Sequence, residues 1–279
     1  MDSFGVRLRS AMDDRGPLCV GIDPHAELLA AWDLPDDATG VAAFSQIVVD
    51  ALADRVAVFK PQSAFFERFG ARGAQILEST IRQLREAGAV VILDAKRGDI
   101  GSTVAAYADA YLNPSMPMYA DAITASPFLG VGSLAPLFDA ARRYKGGVFV
   151  LALTSNPEGP SVQHARLPDG RTVAQTVLDE ISLLNKGATG LGSFGVVVGA
   201  TIGETGHDLS QVGGPILVPG MGTQGGTAAD LARIFAGNLS AVVPSYSREV
   251  LGAGPDVDLL RAAASKRLDE LMIVLGSPK

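Results

Sequence analysis

The residues with the densest chemistry are Asp94-Ala95-Lys96-Arg97-Gly98-Asp99, which close the apolar run Val90-Val91-Ile92-Leu93. Side chains two apart on a strand share a face. Asp94 and Lys96 are therefore expected to point the same way, with Asp99 just beyond, near the Gly98 turn. A second lysine, Lys60, ends the apolar run Val58-Phe59. A lysine in that position must reach water along its stem or find an acid. Brought together, the four groups make an alternating Lys–Asp–Lys–Asp array. Flanking carboxylates favour the charged ammonium of Lys96, and an ammonium held against a substrate carbon is a general acid. The competing reading is a purely structural ion pair, set against the high cost of burying three charges without function.

Two later segments have the composition of anion cradles: Val218-Pro219-Gly220-Met221-Gly222-Thr223-Gln224-Gly225-Gly226 and Pro244-Ser245-Tyr246-Ser247-Arg248. Glycines let backbone N–H groups approach an anion, and a following helix N-terminus adds its dipole. Arg248 can clamp phosphate oxygens bidentately. Asp23, after Gly21-Ile22, serves either a turn or a ligand hydroxyl. Thr154-Ser155-Asn156 either read the edge of a planar ligand or make a turn. His25, His164 and His207 lack metal-ligand spacing, and none is assigned to catalysis. No dinucleotide fingerprint, Walker loop or nucleophile elbow occurs.

These residues need elements to position them. Eight short apolar runs, 18–22, 56–59, 90–93, 122–124, 147–153, 195–198, 216–218 and 241–243, read as strands. Helical periodicity fills 41–53, 74–87, 134–143, 172–185, 228–236 and 257–275 between and after them. Strands that are apolar throughout suit a parallel sheet covered on both faces. Eight such units predict a (β/α)8 barrel in one domain over 1–279, with an open doubly wound sheet as the alternative. In a barrel the strand C-termini carry the site, and the loops after strands seven and eight often bind phosphate. The stretch 155–171 is expected to be irregular, either a lid or binding element or a plain surface excursion.

Composition narrows the classes. The chain has 279 residues and is 47% hydrophobic, enough for a large core. Its formal charge of −7 disfavours nucleic acid and anionic membranes as partners. The one cysteine, Cys19, lies in an apolar run and reads as a buried strand residue; a disulfide within the chain is impossible, which suits a reducing compartment. The first fourteen residues carry acids and no long apolar core, unlike a signal peptide, and no run is long enough to span a bilayer. A cytoplasmic location is expected.

Asp94-x-Lys96-x-x-Asp99-Ile100, with a lysine ending the preceding strand, resembles the orotidine 5′-phosphate decarboxylases. The run from Asp94 to Thr103 is similar to their long bacterial branch. Gly21-Ile22-Asp23-Pro24, Phe59-Lys60-Pro61-Gln62, Thr154-Ser155-Asn156-Pro157 and 219–226 extend the resemblance over nearly the whole chain. The resemblance implies loss of CO₂ from orotidine 5′-monophosphate to give UMP, the last step of de novo pyrimidine synthesis, with no metal and no organic cofactor. It implies that Lys60, Asp94, Lys96 and Asp99 form the charged array, that Lys96 protonates C6, and that Asp94 sits beside the departing carboxylate. Asp99, Ile100 and Thr103 are implied to enter a partner subunit's site, hence a homodimer. Asp23 would hold a ribose hydroxyl, Ser155 the pyrimidine, and Gln224 and Arg248 the phosphate, with Pro219 and Gly222 completing the substrate-binding set. Short members of the family place a Gly-Arg pair right after the last strand; here the arginine comes later, at Arg248. The chemistry suits the array: decarboxylation leaves a carbanion with poor access to a carbonyl sink, so fixed charge must stabilise it. Two rivals remain at this level. One is a magnesium-dependent sugar-phosphate lyase carrying a similar Asp-x-Lys-x-x-Asp segment; the other is a non-catalytic binder of phosphate ligands.

Overall fold

A computed structural model describes residues 2–203 and 205–276. Eight strands, β1 (Cys19–Ile22), β2 (Val58–Pro61), β3 (Val90–Arg97), β4 (Ala122–Ala125), β5 (Gly147–Leu153), β6 (Phe194–Val198), β7 (Ile216–Val218) and β8 (Val242–Tyr246), run parallel and close into a barrel in sequence order. β1 pairs with β2 on one side and with β8 on the other, which leaves no edge. The expected (β/α)8 barrel is the fold; the open sheet is not.

Period-2 alternation sorts the strand side chains into two cores. Val20, Ile22, Phe59, Val91, Leu93 and Ile123 face outward and pack under the helices. Cys19, Val58, Val90, Ile92, Ala122, Phe149, Val197, Leu217 and Val243 face inward and fill the lower barrel. Following the inward positions upward along each strand exchanges apolar for polar residues. Val58 leads to Lys60 and Gln62, Ile92 to Asp94, Ala122 to Thr124, and Val243 to Ser245 and Ser247. The functional end is thus the upper continuation of the same face that packs the core below.

The bottom is closed by a helix the periodicity did not disclose, Phe4–Arg15. Its deepest residues, Phe4, Leu8 and Met12, recur every four positions in a narrow stripe and join the inner core. Phe4 meets Phe149 edge to face at 5.9 Å between centroids. Gly147 permits this contact, since a Cβ there would lie 2.3 Å from the Phe4 ring.

The six periodic stretches correspond to helices Ala38–Leu52, Gly70–Glu86, Ala135–Tyr144, Val173–Asn185, Ala228–Ile234 and Val257–Leu275. The first starts three residues early because Asp37 caps it, accepting from the Thr39 and Gly40 amides at 2.8 and 3.0 Å. Gly101–Leu112 is a further helix beyond the six. The segment 155–171 is less irregular than expected: it holds a short helix, Gly159–Gln163, and an Arg166–Thr172 bridge. No described helix is long and apolar enough to cross a membrane.

Candidate active site

The mouth of the barrel encloses a cavity of about 240 Å³, with Leu151, Val197 and Leu217 as its apolar floor and Asp23, Lys60, Gln62, Asp94, Lys96 and Thr124 along one wall. At its centre Asp94, 8% exposed, accepts from two lysines. Lys96 Nζ lies 2.6 Å from Oδ1, and Lys60 Nζ lies 3.1 Å from Oδ2. Lys60 is equally buried and has a second acid, Asp23, at 4.0 Å. It resolves the choice between water and an acid in favour of the acid.

Asp94 and Lys96 meet as expected, but not by simple strand alternation. From Leu93 to Arg97 β3 advances four residues while its partner β4 advances two, from Ile123 to Ala125. The excess is taken up by a bulge in which Lys96 has φ +46°, a left-handed conformation rare and costly for a residue with a side chain. The bulge turns the Lys96 stem over the carboxylate of Asp94. Its side chain stays 43% exposed, open to the cavity.

Two polar residues that the sequence reading left without a role hold this pair. Thr124 Oγ1 donates to Asp94 Oδ1 at 2.8 Å and accepts from the Lys96 amide at 3.0 Å. The Gln62 amide is assigned with its nitrogen toward Asp94, since the opposite orientation faces oxygen to oxygen; so placed, it donates to Oδ2 at 3.1 Å and to the main-chain oxygen at 2.5 Å, while its oxygen accepts from Lys96 Nζ at 3.3 Å. The available signal was a neutral polar residue at the upper end of a strand, Thr124 within the run 122–124 and Gln62 two residues beyond Lys60.

Burial and charge act in opposite directions here, and charge prevails. Burial by itself would raise the Asp94 carboxyl; the two ammonium groups and the hydrogen bonds from Lys96 and Thr124 hold it well below the usual carboxylate range. Burial by itself would lower Lys60; the carboxylates of Asp94 and Asp23 raise it above the ordinary lysine value. Cys19, as expected, is a buried strand residue, and burial pushes its thiol up to about 12.

The rest of the wall comes from β1, β7 and β8. A Cβ on Gly21 would stand 3.0 Å from both Asp23 Oδ2 and Ser247 Cβ, so glycine is needed for those groups to overhang the strand end. Asp23 Oδ1 and Ser247 Oγ are buried without a hydrogen-bond partner, both on the cavity wall. Unpaired buried acceptors and hydroxyls are costly, which marks this corner as one suited to ligand hydroxyls. After β7, Pro219, Gly220, Thr223 and Gln224 line the cavity. Gly220, Gly222 and Gly225 all have left-handed φ, and the loop coils tightly enough that Gly226 sits against Ala200. Arg248 reaches the cavity from the first turn after β8. His25 stands outside the lining; its pKa is lowered by burial and by the Arg248 charge, against the pull of Asp23.

Five of the expected residues are not on this cavity's wall. Gly222 faces the side chain of Glu249 instead. Ser155 is exposed; its neighbours Thr154 and Asn156 bond each other at 2.6 Å, as turn residues do. Asp99 turns back to accept from the Ile100 amide at 2.7 Å, so within one chain the array contains Lys60, Asp94 and Lys96 but not Asp99. Ile100 is 62% exposed and Thr103 is exposed beside it, on the first turn of Gly101–Leu112.

Comparison with known proteins gives one consistent result. Residues 16–263 match the family described as orotidine 5′-phosphate decarboxylase / HUMPS. The chain is 66% identical over 275 residues to an orotidine 5′-phosphate decarboxylase of Salinispora arenicola, covering 99% of each. It is 59% identical over 267 residues to the Streptomyces coelicolor protein of the same name, covering 95% of this chain and 96% of that one. Among solved structures it is similar to the OMP decarboxylase of Leishmania donovani, with 33% identity, TM-score 0.77 and coverage of 98% and 99%. A Streptomyces avermitilis crystal structure superposes at TM-score 0.96, with 56% identity and coverage of 99% and 96%.

Proposed function

The chain belongs to the orotidine 5′-phosphate decarboxylase / HUMPS family, and from that premise we propose that it decarboxylates orotidine 5′-monophosphate to UMP and CO₂ at the mouth of its barrel. The observation that carries the assignment of roles is the Lys96–Asp94–Lys60 chain, with Lys96 Nζ 2.6 Å from Asp94 Oδ1 and open to the cavity. The bond from C6 to the carboxylate breaks, CO₂ departs, and the electron pair remains on C6. The Lys96 ammonium stabilises that pair and then delivers its proton to C6; solvent reprotonates the amine. Asp94 holds the ammonium in place, and Lys60 balances the second oxygen of Asp94. Because the charges are fixed before reaction, little reorganisation is needed when the anion forms.

Asp23 and Ser247, each with a buried oxygen that lacks a hydrogen-bond partner at one corner, suit ribose hydroxyls. Gln224, Pro219 and Arg248 suit the phosphate, whose remote grip can supply binding energy to the reacting centre. Asp99, Ile100 and Thr103 face away from their own cavity. Phe128, 80% exposed, and Leu129, also exposed, follow Ser126, whose amide bonds the Arg97 carbonyl at 2.9 Å; these exposed groups support a homodimer in which Asp99, Ile100 and Thr103 complete the partner's site. Ser155 would reach the pyrimidine only if 155–171 closes over the mouth. A cytoplasmic enzyme of a single barrel domain is the setting proposed.

The test is loss of ultraviolet absorbance when the protein meets orotidine 5′-monophosphate in EDTA. Rapid loss with UMP as product is expected. No loss from folded protein would overturn the reading, and turnover of a sugar phosphate only with magnesium would replace it with the lyase.

A further inference from the structure

Arg97 has no place in the chemistry above, although it follows Lys96 directly and β3 ends on it. Its guanidinium leaves the barrel mouth and turns outward. Nη2 donates to Glu67 Oε1, and the same oxygen accepts from Ser63 Oγ. The amide of Ser63 in turn donates to the main-chain oxygen of Asp94 at 3.2 Å. Arg97 Nη1 folds back to the Ala95 carbonyl at 3.2 Å, and the Arg97 carbonyl accepts from the Ser126 amide at 2.9 Å. A closed circuit therefore runs from Asp94 through Ser63, Glu67 and Arg97 back to β3. It brackets the bulge on both sides, and the residue inside the bracket is Lys96 with φ +46°.

That backbone conformation does not hold itself. A left-handed residue with a side chain is costly and persists only where its surroundings fix it. Thr124 fixes the Lys96 amide from inside the barrel; the circuit fixes the flanking residues from outside. On the basis of the proposed function, we propose that Arg97, acting through Glu67, is a positioning residue for decarboxylation: it holds the β3 bulge that presents the Lys96 ammonium to the substrate.

The guanidinium also reaches the helix Gly101–Leu112. It lies 5.6 Å from the Tyr107 ring centroid, and Nη2 lies 3.5 Å from the Tyr111 hydroxyl. That helix follows Asp99 and Ile100. Arg97 thus fastens the proton donor of its own site and the segment offered to a partner's site to one point. A half-exposed ion pair contributes little to global stability, so its removal should loosen Lys96 without unfolding the barrel.

The experiment compares Arg97→Met, Glu67→Gln and the double variant with wild type in kcat, UMP dissociation constant and melting temperature. Misplacing a reacting group by an ångström can cost up to about a hundred-fold; a looser bulge is expected to lower kcat about ten-fold and leave UMP affinity within about two-fold. The double variant should be no slower than Arg97→Met, since both changes open the same circuit. An unchanged kcat, a parallel loss of UMP affinity, or losses that multiply in the double variant would each overturn the proposal. If Arg97→Met does not fold, Glu67→Gln keeps the shape of the side chain and carries the same expectation. A wild-type protein without turnover would instead refute the proposed function, before any variant is compared.

Discussion

Replacing Thr124 by valine removes a hydroxyl and keeps the volume of the side chain. In the structure that hydroxyl donates to Asp94 Oδ1 at 2.8 Å and accepts from the Lys96 amide at 3.0 Å, at a site 1% exposed. A hydrogen bond to a charged group contributes about 1.5–3 kcal/mol and a neutral one about 0.5–1.5 kcal/mol. The loss should therefore be about 2–4 kcal/mol, with the valine methyl unable to satisfy either partner. For a chain of this size the melting temperature should fall by roughly 3–7 °C. Turnover should suffer as well, because both lost bonds fix the pair that delivers the proton. If a third to a half of the loss is felt in the transition state, kcat falls about ten-fold. Thr124→Ser keeps both bonds and should stay near wild type in each measurement. Thermal melts and steady-state decarboxylation of the three proteins suffice. Thr124→Val indistinguishable from wild type in both would refute the claim that this hydroxyl holds Asp94 against its lysines.

The depressed Asp94 carboxyl makes a signed prediction about pH. Its contribution to stability is fully present above the unfolded carboxylate pKa of about 3.9 and is lost as pH falls through its lower folded value. Urea titrations below pH 4 should show this loss in wild type and a shallower slope in Asp94→Asn, which should also be less stable at neutral pH because Lys60 loses its nearest acid. Lys60, raised by the same pairing, makes the mirror prediction: its contribution is present below the ordinary lysine value and disappears only as pH rises through its higher folded value. Mixing Lys96→Ala with Asp99→Ala chains should restore activity to neither-competent preparations, up to about a quarter of wild type for random pairing; no recovery after confirmed subunit exchange would contradict the shared site. Arg248→Ala should raise KM for the nucleotide much more than it lowers the affinity for a ligand without phosphate, and an unchanged KM would remove Arg248 from the site.

The barrel was legible because its signals are local and repeated. Each strand is a short apolar run bounded by turn residues, and eight of them alternate with helical stretches. The Phe4–Arg15 helix was not, because its buried stripe is narrow and its role, plugging the barrel below Phe149, depends on a contact 145 residues away in sequence. In the site, Asp94, Lys96 and Lys60 stood out as charges at the ends of apolar strands, where burial without a partner is too costly to be accidental. Thr124 and Gln62 did not, since a neutral polar residue after a strand is ordinary in sequence; only the register of β3 against β4 places Thr124 beside Asp94. The bulge at Lys96 was hidden for a related reason. Nothing in Asp-Ala-Lys-Arg-Gly announces a left-handed lysine, because the residues that bond around it, Ser63 and Glu67 on one side and Thr124 and Ser126 on the other, come from two other segments. Gly222 was read from the composition of its loop, but its φ of +71° turns it toward Glu249, while Gly220 and Thr223 face the cavity.

The central claim is that Lys96, held by Asp94, gives its proton to C6. The most direct measurement is decarboxylation by Lys96→Ala beside wild type, with a melting curve and UMP binding for each. The account predicts that turnover falls by a factor of about a thousand or more while the variant melts cooperatively and still binds UMP. Turnover within about ten-fold of wild type from that folded, nucleotide-binding variant would contradict it and place the proton donor elsewhere.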